Sequence, residues 1–413
     1  MPRYILHHLH FPHFDFHIDN THNLKMLYGI RILRELINNL CFFFLPLYLF
    51  QLAPNLPLFA GTGFNDFQKG MILVGSHFLL FRLAMLTTVI PVGKLITTKI
   101  GFKNAFIISK ILTVCVFLLL QASVHNPILV LAAAFLDGIE AAFFWPLFYS
   151  IFGKNSKHRR VGEDLGFLQF LLHFVAMAAP AVGGVVAVFL GFDKLFLFGI
   201  VLAMLSVVFS VSMYDEKTGG IPSFRELSSW LKEGRYRRLS VTYIGRYVND
   251  SVLMVWPLYV FLILKGVEKV GYLYSISMFI AMIASFFIGF YIDHHKSRRP
   301  FILSGGILSL IWFLRAHVFD IWSIAFVDVA NRLVSSFHWL FYDSLMIKRG
   351  RGNRTYPFFI YREVIMSVGA LVTWAFFISL FLLVNDWRIL FMAAAIGIAT
   401  SLLMNEKPKE SGE

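Results

Sequence analysis

The chain has 413 residues, of which 58% are hydrophobic and 46 are Phe, far more apolar side chain than one soluble core can take up. Its formal net charge of +13 would suit a nucleic-acid partner in a soluble domain, but the basic residues sit in alternate loops between long apolar runs, with no basic stripe or aromatic platform beside them. Composition therefore excludes a soluble globular protein and a nucleic-acid binder, and leaves a polytopic membrane protein.

The N-terminal stretch carries His7, His8, His10, His13, His17 and His22 with Asp15 and Asp19. It has no apolar core of the kind a secretory signal needs, so the first hydrophobic helix is expected to stay in the protein. Without cysteine or an ordered scaffold the histidines make a loose metal site at best, and neither metal nor cofactor is expected. Cys41 and Cys115 lie inside apolar runs and read as packing residues.

Twelve spanning helices are predicted, at 28–51, 69–96, 103–124, 127–152, 163–190 and 194–213, then 239–264, 270–292, 300–319, 321–347, 358–384 and 387–404. Each is about 20 residues or longer, enough at ~1.5 Å per residue to cross a ~30 Å hydrocarbon layer. Loop charge sets the orientation. Lys99 and Lys103, then Lys154, Lys157, Arg159 and Arg160, then 294–299, then Lys348, Arg349, Arg351 and Arg354 fall on one side, which is read as the cytoplasm. Opposite loops are poor in Lys and Arg apart from Lys265 and Lys269. Both termini are then cytoplasmic, in a cytoplasmic (inner) membrane.

The expected organisation is a His-rich tail at 1–26, a six-helix bundle at 27–213, a linker at 214–238, a second six-helix bundle at 239–405 and a short tail at 406–413. In the linker, Pro222, Ser223 and Glu226 form a capping start, and Phe224, Leu227 and Leu231 give one apolar face. That pattern suits a short helix lying on the inner membrane surface, or a solvated linker helix.

The halves also repeat. Pro46, Leu47 and Tyr48 over Pro257, Leu258 and Tyr259 bring Asn38 and Asn39 onto Asn249 and Asp250, and Leu147, Phe148 and Tyr149 match Leu340, Phe341 and Tyr342. Repeated halves are how many transporters are built. Pro46, Pro146 and Pro257 fall toward helix ends, where a missing backbone hydrogen bond allows either a hinge or a simple kink.

The loop GFYIDHHKSRR after the eighth helix resembles the signature loop of the major facilitator superfamily. Gly289, Asp293, Arg298 and Arg299 match it, and Lys296 replaces a Gly. The corresponding loop of the first half keeps Lys99, Gly101 and Lys103 but has Thr98 where the acid belongs. The resemblance implies a charge relay between such a loop and an acid at the inner end of the fourth helix of the same half. Asp343 fills that place in the second half, and Ser150 stands there in the first. A second resemblance is in the fifth helix, where Gly166, Pro180, Gly183 and Gly184 fall at the spacing typical of proton-coupled exporters, with Ala179 for a Gly and Val175 departing. Small residues and Pro that merely let helices pack closely are the plainer account.

Counting along the helices puts Arg82, Asp137, Glu140, Asp250 and Arg332 near the bilayer midplane, with Arg246 and Asp328 a turn or two away. Facing lipid, seven such charges would cost roughly 20 kcal/mol, so they must face the interior or a water-filled cavity. The series Asp328, Arg332, Ser335, Trp339 and Arg31, Glu35, Asn38, Phe42 recur at helical spacing. Asp137 and Glu140 are neighbours on one turn, and two close carboxylates in low dielectric do not both ionise cheaply. One of the pair is therefore a candidate proton carrier, and setting three arginines against four acids leaves one acid to bind a proton or a cationic substrate. Arg82 is expected to pair with Glu140 or Asp137, and Asp250 to face Arg332. Purely structural ion pairs are the alternative. Lys110 and Arg315 are expected to snorkel, Arg362 and Glu363 to pair locally or with the loop charges, and His173, near Gln169, to be a hydrogen-bonded core histidine, with a place in a proton relay as the alternative.

The fold class expected is thus an all-α membrane protein with twelve transmembrane helices in two pseudo-symmetric six-helix bundles of the major facilitator type. Its expected function is secondary transport of a small organic solute by alternating access, as a proton-coupled exporter working by antiport. The resemblance implies that helices one, four, seven and ten line the cavity. Asn38, Asn39, Arg82, Glu140, Asp250 and Arg332 are the expected solute contacts, Asp137, Glu140 and Asp250 the proton-coupling acids, and Lys99, Gly101, Gly289, Asp293, Arg298 and Asp343 the cytoplasmic gate. Midplane arginines leave open a proton-coupled importer of an anionic or zwitterionic metabolite, and the fold leaves open a non-transporting receptor or scaffold. Expected partners are lipid, solute and protons, with a monomeric carrier. No P-loop, metal-ligand spacing or triad marks an enzyme.

Overall fold

The computed structural model describes residues 22–156, 160–215, 221, 224–294, 298–352 and 354–404. The histidine tail apart from His22 lies outside them, as do the side chains of Gly289 and Asp293. The first half comprises α1 (His22–Leu40), α2 (Leu45–Leu52), α3 (Asp66–Leu95), α4 (Gly101–Ala122), α5 (Leu129–Asn155), α6 (Val161–Ala176), α7 (Ala179–Phe189) and α8 (Phe192–Val211). After the linker helix α9 (Phe224–Lys232) come α10 (Gly234–Leu264), α11 (Val267–His294), α12 (Arg299–Arg315), α13 (Ile321–Gly350), α14 (Thr355–Leu383) and α15 (Trp387–Ser401).

Two predicted spans are each built from two helices and α9 belongs to the linker, so these fifteen helices make twelve crossings. The first breaks at Cys41, where a tight turn over Phe42–Phe44 precedes α2, and Pro46 sits in the first turn of α2, where its missing N–H costs nothing. The fifth breaks between α6 and α7, with Pro180 at the start of α7 for the same reason. Pro91, Pro146 and Pro257, by contrast, lie inside unbroken helices. Two starts are fixed by reciprocal caps, Asn65 with Gln68 on α3 and Asp320 with Ser323 on α13. Among the described residues seven helical segments are long and apolar enough to cross a membrane. α13 is long as well but carries Asp328, Arg332 and Asp343, and large apolar side chains such as Val208, Leu303 and Ile396 stand exposed on the outside, as lipid contact requires.

Packing repeats between the halves. In the first half α3 packs on α5, α4 on α8 and α5, and α1 on α8 and α6; in the second, α11 packs on α13, α12 on α15 and α13, and α10 on α15 and α14. These are the same pairs shifted by six spans. The halves meet along α3 with α14 and along α6 and α7 with α11, which are again repeats of each other. At the end of the bundle carrying the linker, Tyr149 stacks on Phe359 at 5.3 Å. At the opposite end Phe67 meets Phe381 at 6.0 Å, Phe43 meets Tyr274 at 4.4 Å, and Gly184 lies against the backbone of Glu268.

The linker helix forms as expected and buries part of its apolar side in the protein: Leu227 and Trp230 are buried while Leu231 stays exposed, Trp230 stacks on Tyr236 at 5.1 Å and meets Tyr361 edge-on, and Glu226 pairs with Arg354 at 2.5 Å. Pro222, Ser223 and the side chain of Phe224 lie outside the described residues. Its neighbours are aromatic side chains of α10 and α14, so the helix packs on the second half.

Candidate functional site

Among the described residues, the charged side chains inside the bundle include eight bases (Arg31, Arg34, Arg82, Lys110, Arg246, Arg315, Arg332 and Arg362) and seven acids (Glu35, Asp137, Glu140, Asp250, Asp328, Asp343 and Glu363), and none of these is exposed. The balance differs from the sequence expectation, because Lys110 and Arg315 turn inward instead of reaching for an interface and Arg34, on which no expectation rested, joins them.

Glu140 on α5 is the most heavily held. Arg34 on α1 donates to both its oxygens at 2.6 and 2.9 Å, Ser109 donates at 2.6 Å, and Lys110 Nζ lies 3.4 Å away. The Phe144 ring lies 4.1 Å from the Arg34 guanidinium and 4.5 Å from Lys110 Nζ. Asp137, one turn along the same helix, has no hydrogen-bonding or ion-pair partner among the described residues, although Arg34, Arg82 and Lys110 are near enough to act on it electrostatically.

Arg82 is not joined to Asp137 or Glu140 as expected. Its guanidinium lies over Tyr247 of α10 at 4.2 Å and its nearest acid is Glu363 of α14 at 3.9 Å, so it reaches across to the other half. Glu363 also pairs with its neighbour Arg362, as the sequence suggested, and Arg362 stands over Tyr149 of the first half at 4.5 Å.

Asp250 likewise does not face Arg332. It accepts from Arg246 at 3.2 Å and from Asn249 at 3.1 Å, while Arg246 also donates to Asp343 at 2.9 Å and lies over Trp339. In the repeat, Arg246 and Asp250 occupy the places of Glu35 and Asn39. There Arg31 pairs with Glu35 at 2.7 Å and Asn39 donates to Glu35 at 3.0 Å. Both halves thus carry a hydrogen-bonded pair one turn apart at equivalent positions, with an acid, Glu35, in the first half where the second has a base, Arg246. Asn38 is half-buried and makes no hydrogen bond among the described residues. Arg332 instead turns to Asp328, one turn before it, at 3.7 Å, and Arg315 approaches the same acid at 3.5 Å.

Of the expected gate residues, Asp343 pairs with Arg246 of α10, and Arg298 donates to the carbonyls of Leu402 and Met404, at 3.2 and 2.6 Å, closing the end of α15. In the first half an acid from outside the loop stands at the start of α4. Asp215, past the end of α8, accepts from the backbone N–H groups of Phe102 and Lys103 at 2.7 and 3.2 Å and so caps α4. Gly101 lies directly beneath it with φ +75°, and a Cβ there would fall 2.2 Å from the carboxylate. Lys99 is exposed. His173 meets Gln169 at 2.7 Å as expected, and His338 is bracketed by Ser304 and Ser401.

Four crossings supply most of these charges: α1, α5, α10 and α13, the first, fourth, seventh and tenth. Interior charges on discontinuous and Pro-containing helices at the meeting of two repeated bundles are what a secondary transporter presents. The family model for the Major Facilitator Superfamily matches residues 39–352, and the chain belongs to that superfamily.

Its fold is similar to that of a human organic anion transporter, MFSD10 (TETRAN), with 12% identity, 93% of this chain and 99% of that one covered, and a TM-score of 0.70. A variant of the E. coli fucose:proton symporter FucP gives 15% identity, 92% and 97% coverage and a TM-score of 0.63. A bacterial homologue of the iron transporter ferroportin in an outward-facing state gives 10%, 92%, 98% and 0.67. No curated protein sequence matches the chain. The chain is a transporter of this superfamily and not an enzyme.

Proposed function

We propose that the chain is a proton-coupled carrier that exports a small organic solute, with the linker end of the bundle and both termini in the cytoplasm of an inner membrane. The observation that carries the coupling reading is the unequal treatment of two carboxylates on one turn of α5. Glu140 has its charge met by Arg34, Ser109 and Lys110, and is built in. Asp137 has no such partner among the described residues, so it is the acid of the pair that a proton can occupy and leave without dismantling a helix contact. Glu140 is then a residue that holds α1, α4 and α5 together.

Solute contact falls to the half-buried charges, Arg31, Glu35, Arg246, Asp250 and Arg332, together with Asn38, because the fully buried pairs have no free face. Export is favoured by the pattern of Gly166, Pro180, Gly183 and Gly184. In α7 the latter two lie against Leu40 and Phe44 on one side and α11 on the other, a contact that small residues permit at the meeting of the halves. Import of an anionic metabolite is the second reading, favoured by the interior excess of bases and by the likeness in fold to a carrier described as an organic anion transporter.

The test is proton flux in proteoliposomes containing a trapped pH dye, with a panel of organic acids, amines and sugars under an imposed pH gradient. A compound-dependent flux abolished by Asp137→Asn supports the reading, and its sign separates export from import. Flux that survives Asp137→Asn places the coupling acid elsewhere, and folded protein without flux for any compound favours a receptor on the same fold.

A further inference from the structure

Asp328 on α13 is shared between two arginines. Its Oδ1 lies 3.5 Å from Arg315 Nη2 and its Oδ2 3.7 Å from Arg332 Nε, contacts too long to be hydrogen bonds. The Arg315 side chain is wholly buried and Asp328 is 1% exposed, whereas Arg332 retains 21% exposure. Among the described residues none of the three guanidinium nitrogens of Arg315 has a hydrogen-bond partner, and neither does Asp328 Oδ2 or Arg332 Nε.

The surroundings offer rings and sulfur in place of charge. Arg315 lies over both the Trp256 and the Trp312 ring, which stand nearly perpendicular to each other, at 4.2 and 4.1 Å, Arg332 lies over Tyr274 at 4.7 Å, and Met278 Sδ is 3.7 Å from Arg332 Nη1. Asn249, an amide on the same wall, is already occupied by Trp312 Nε1 at 2.8 Å and by Asp250. Ring faces moderate a cation without cancelling it. The cluster therefore carries two positive charges against one negative in a low-dielectric setting, and a buried charge without a counter-charge is what folded interiors avoid.

We propose that Arg332 is the binding group for a single anionic group on the transported solute, with Arg315 as the positioning residue that takes over Asp328 when the anion arrives. This rests on the transport reading above. An anion approaching the accessible side of Arg332 replaces Asp328 as its partner; Asp328 then closes onto Arg315, and the cluster holds two charges of each sign. The planar guanidinium fork fits a carboxylate with two parallel hydrogen bonds, and accepts a phosphate oxygen pair in the same way. Because Asp328 need only shift between partners already on either side of it, binding requires no rearrangement of the backbone.

Trp256 and Trp312 place a reporter beside Arg315, so binding is read directly from tryptophan fluorescence of the full-length protein in detergent, with the shift in thermal midpoint as a second readout. The probes are benzoate, inorganic phosphate, benzylamine and glucose. The expected result is a saturable response to benzoate or phosphate and none to benzylamine or glucose, the two anions telling an organic acid from a phosphate carrier. Arg332→Gln should weaken anion affinity at least about tenfold, Arg315→Gln should weaken it with partial rescue by Arg315→Lys, and Asp328→Asn should tighten it about tenfold by leaving both arginines without a counter-charge. Arg332→Lys, which keeps the charge and loses the fork, serves if the Gln variant does not fold. Anion affinity equal in wild type and the Arg332 variants, or weakened by Asp328→Asn, would overturn the proposal. Since binding is measured without flux, a bound anion with no transport sinks the transport reading alone, while solute flux indifferent to Arg332 sinks this one alone.

Discussion

Arg34 grips Glu140 with both terminal nitrogens, at 2.6 and 2.9 Å, and in doing so ties α1 to α5 in the interior of the first half. A planar fork on a carboxylate is not reproduced by an ammonium. Arg34→Gln leaves Glu140 with Ser109 and Lys110 and is expected to cost about 3–5 kcal/mol, the usual penalty for stripping one partner from a buried pair. Arg34→Lys should cost less but measurably. Unfolding in detergent by heat or denaturant checks both, and adding Glu140→Gln to Arg34→Gln should recover part of the loss if the two act as a pair.

Asp137→Asn is expected to leave the unfolding midpoint close to wild type, since among the described residues no hydrogen bond or ion pair of Asp137 is lost. It should abolish solute movement driven by a pH gradient while sparing solute exchange at equal concentrations on both sides. Glu140→Gln should do the opposite and lower the midpoint. Comparing driven flux with exchange in one set of vesicles separates coupling from binding.

Gly101→Ala is predicted to destabilise the first half by about 2–3 kcal/mol. Part comes from a backbone at φ +75°, ψ 173° that other residues scarcely adopt, and part from a Cβ landing on the Asp215 carboxylate, which would have to give up the α4 cap. Asp215→Ala should cost only about 1 kcal/mol, the worth of the cap alone, and Asp215→Asn less still. Thermal midpoints of the three variants decide whether the strain and the cap separate in this way.

At the other end, Asp320 caps α13 from an exposed position, and the backbone N–H of Ser323 together with its side chain holds the Asp320 carboxyl below its ordinary range. A carboxyl whose folded pKa is depressed stabilises the fold above its unfolded pKa, and that contribution fades as pH falls through the folded value. Asp320→Ala should therefore lower the midpoint at pH 7, and the gap from wild type should close on acidification. A gap that stays constant down through the acid range would show that the cap works without the charge.

The number of crossings and the repeat are legible in the sequence because both rest on hydropathy and residue identity, quantities a linear chain displays. The pairings are not. Counting residues gives depth along a helix but no direction around it, so depth alone matches Arg82 to Glu140, whereas Arg82 leans to α14 and Glu140 to α1. Arg34 carries a usable signal, three residues after Arg31 and one turn from Asn38, but it stands beside Ile32 and Leu33 and outside the polar series. The interface expected for Lys110 and Arg315 rests on the ability of long side chains to snorkel, a freedom that says nothing of which way they turn. Asp215 is hidden for another reason: the loop pattern points to Thr98 for the missing acid, and the substitute lies more than a hundred residues further on, brought near only by the packing of α4 on α8.

The chain between the halves is moored at two places. Asp215 is fastened to the start of α4, and Glu226 to Arg354 beside α14. Eleven peptide steps separate the moorings, a reach of roughly 36–40 Å when drawn out. Each mooring travels with its own half, so when the bundles rock neither cap nor clasp has to be undone.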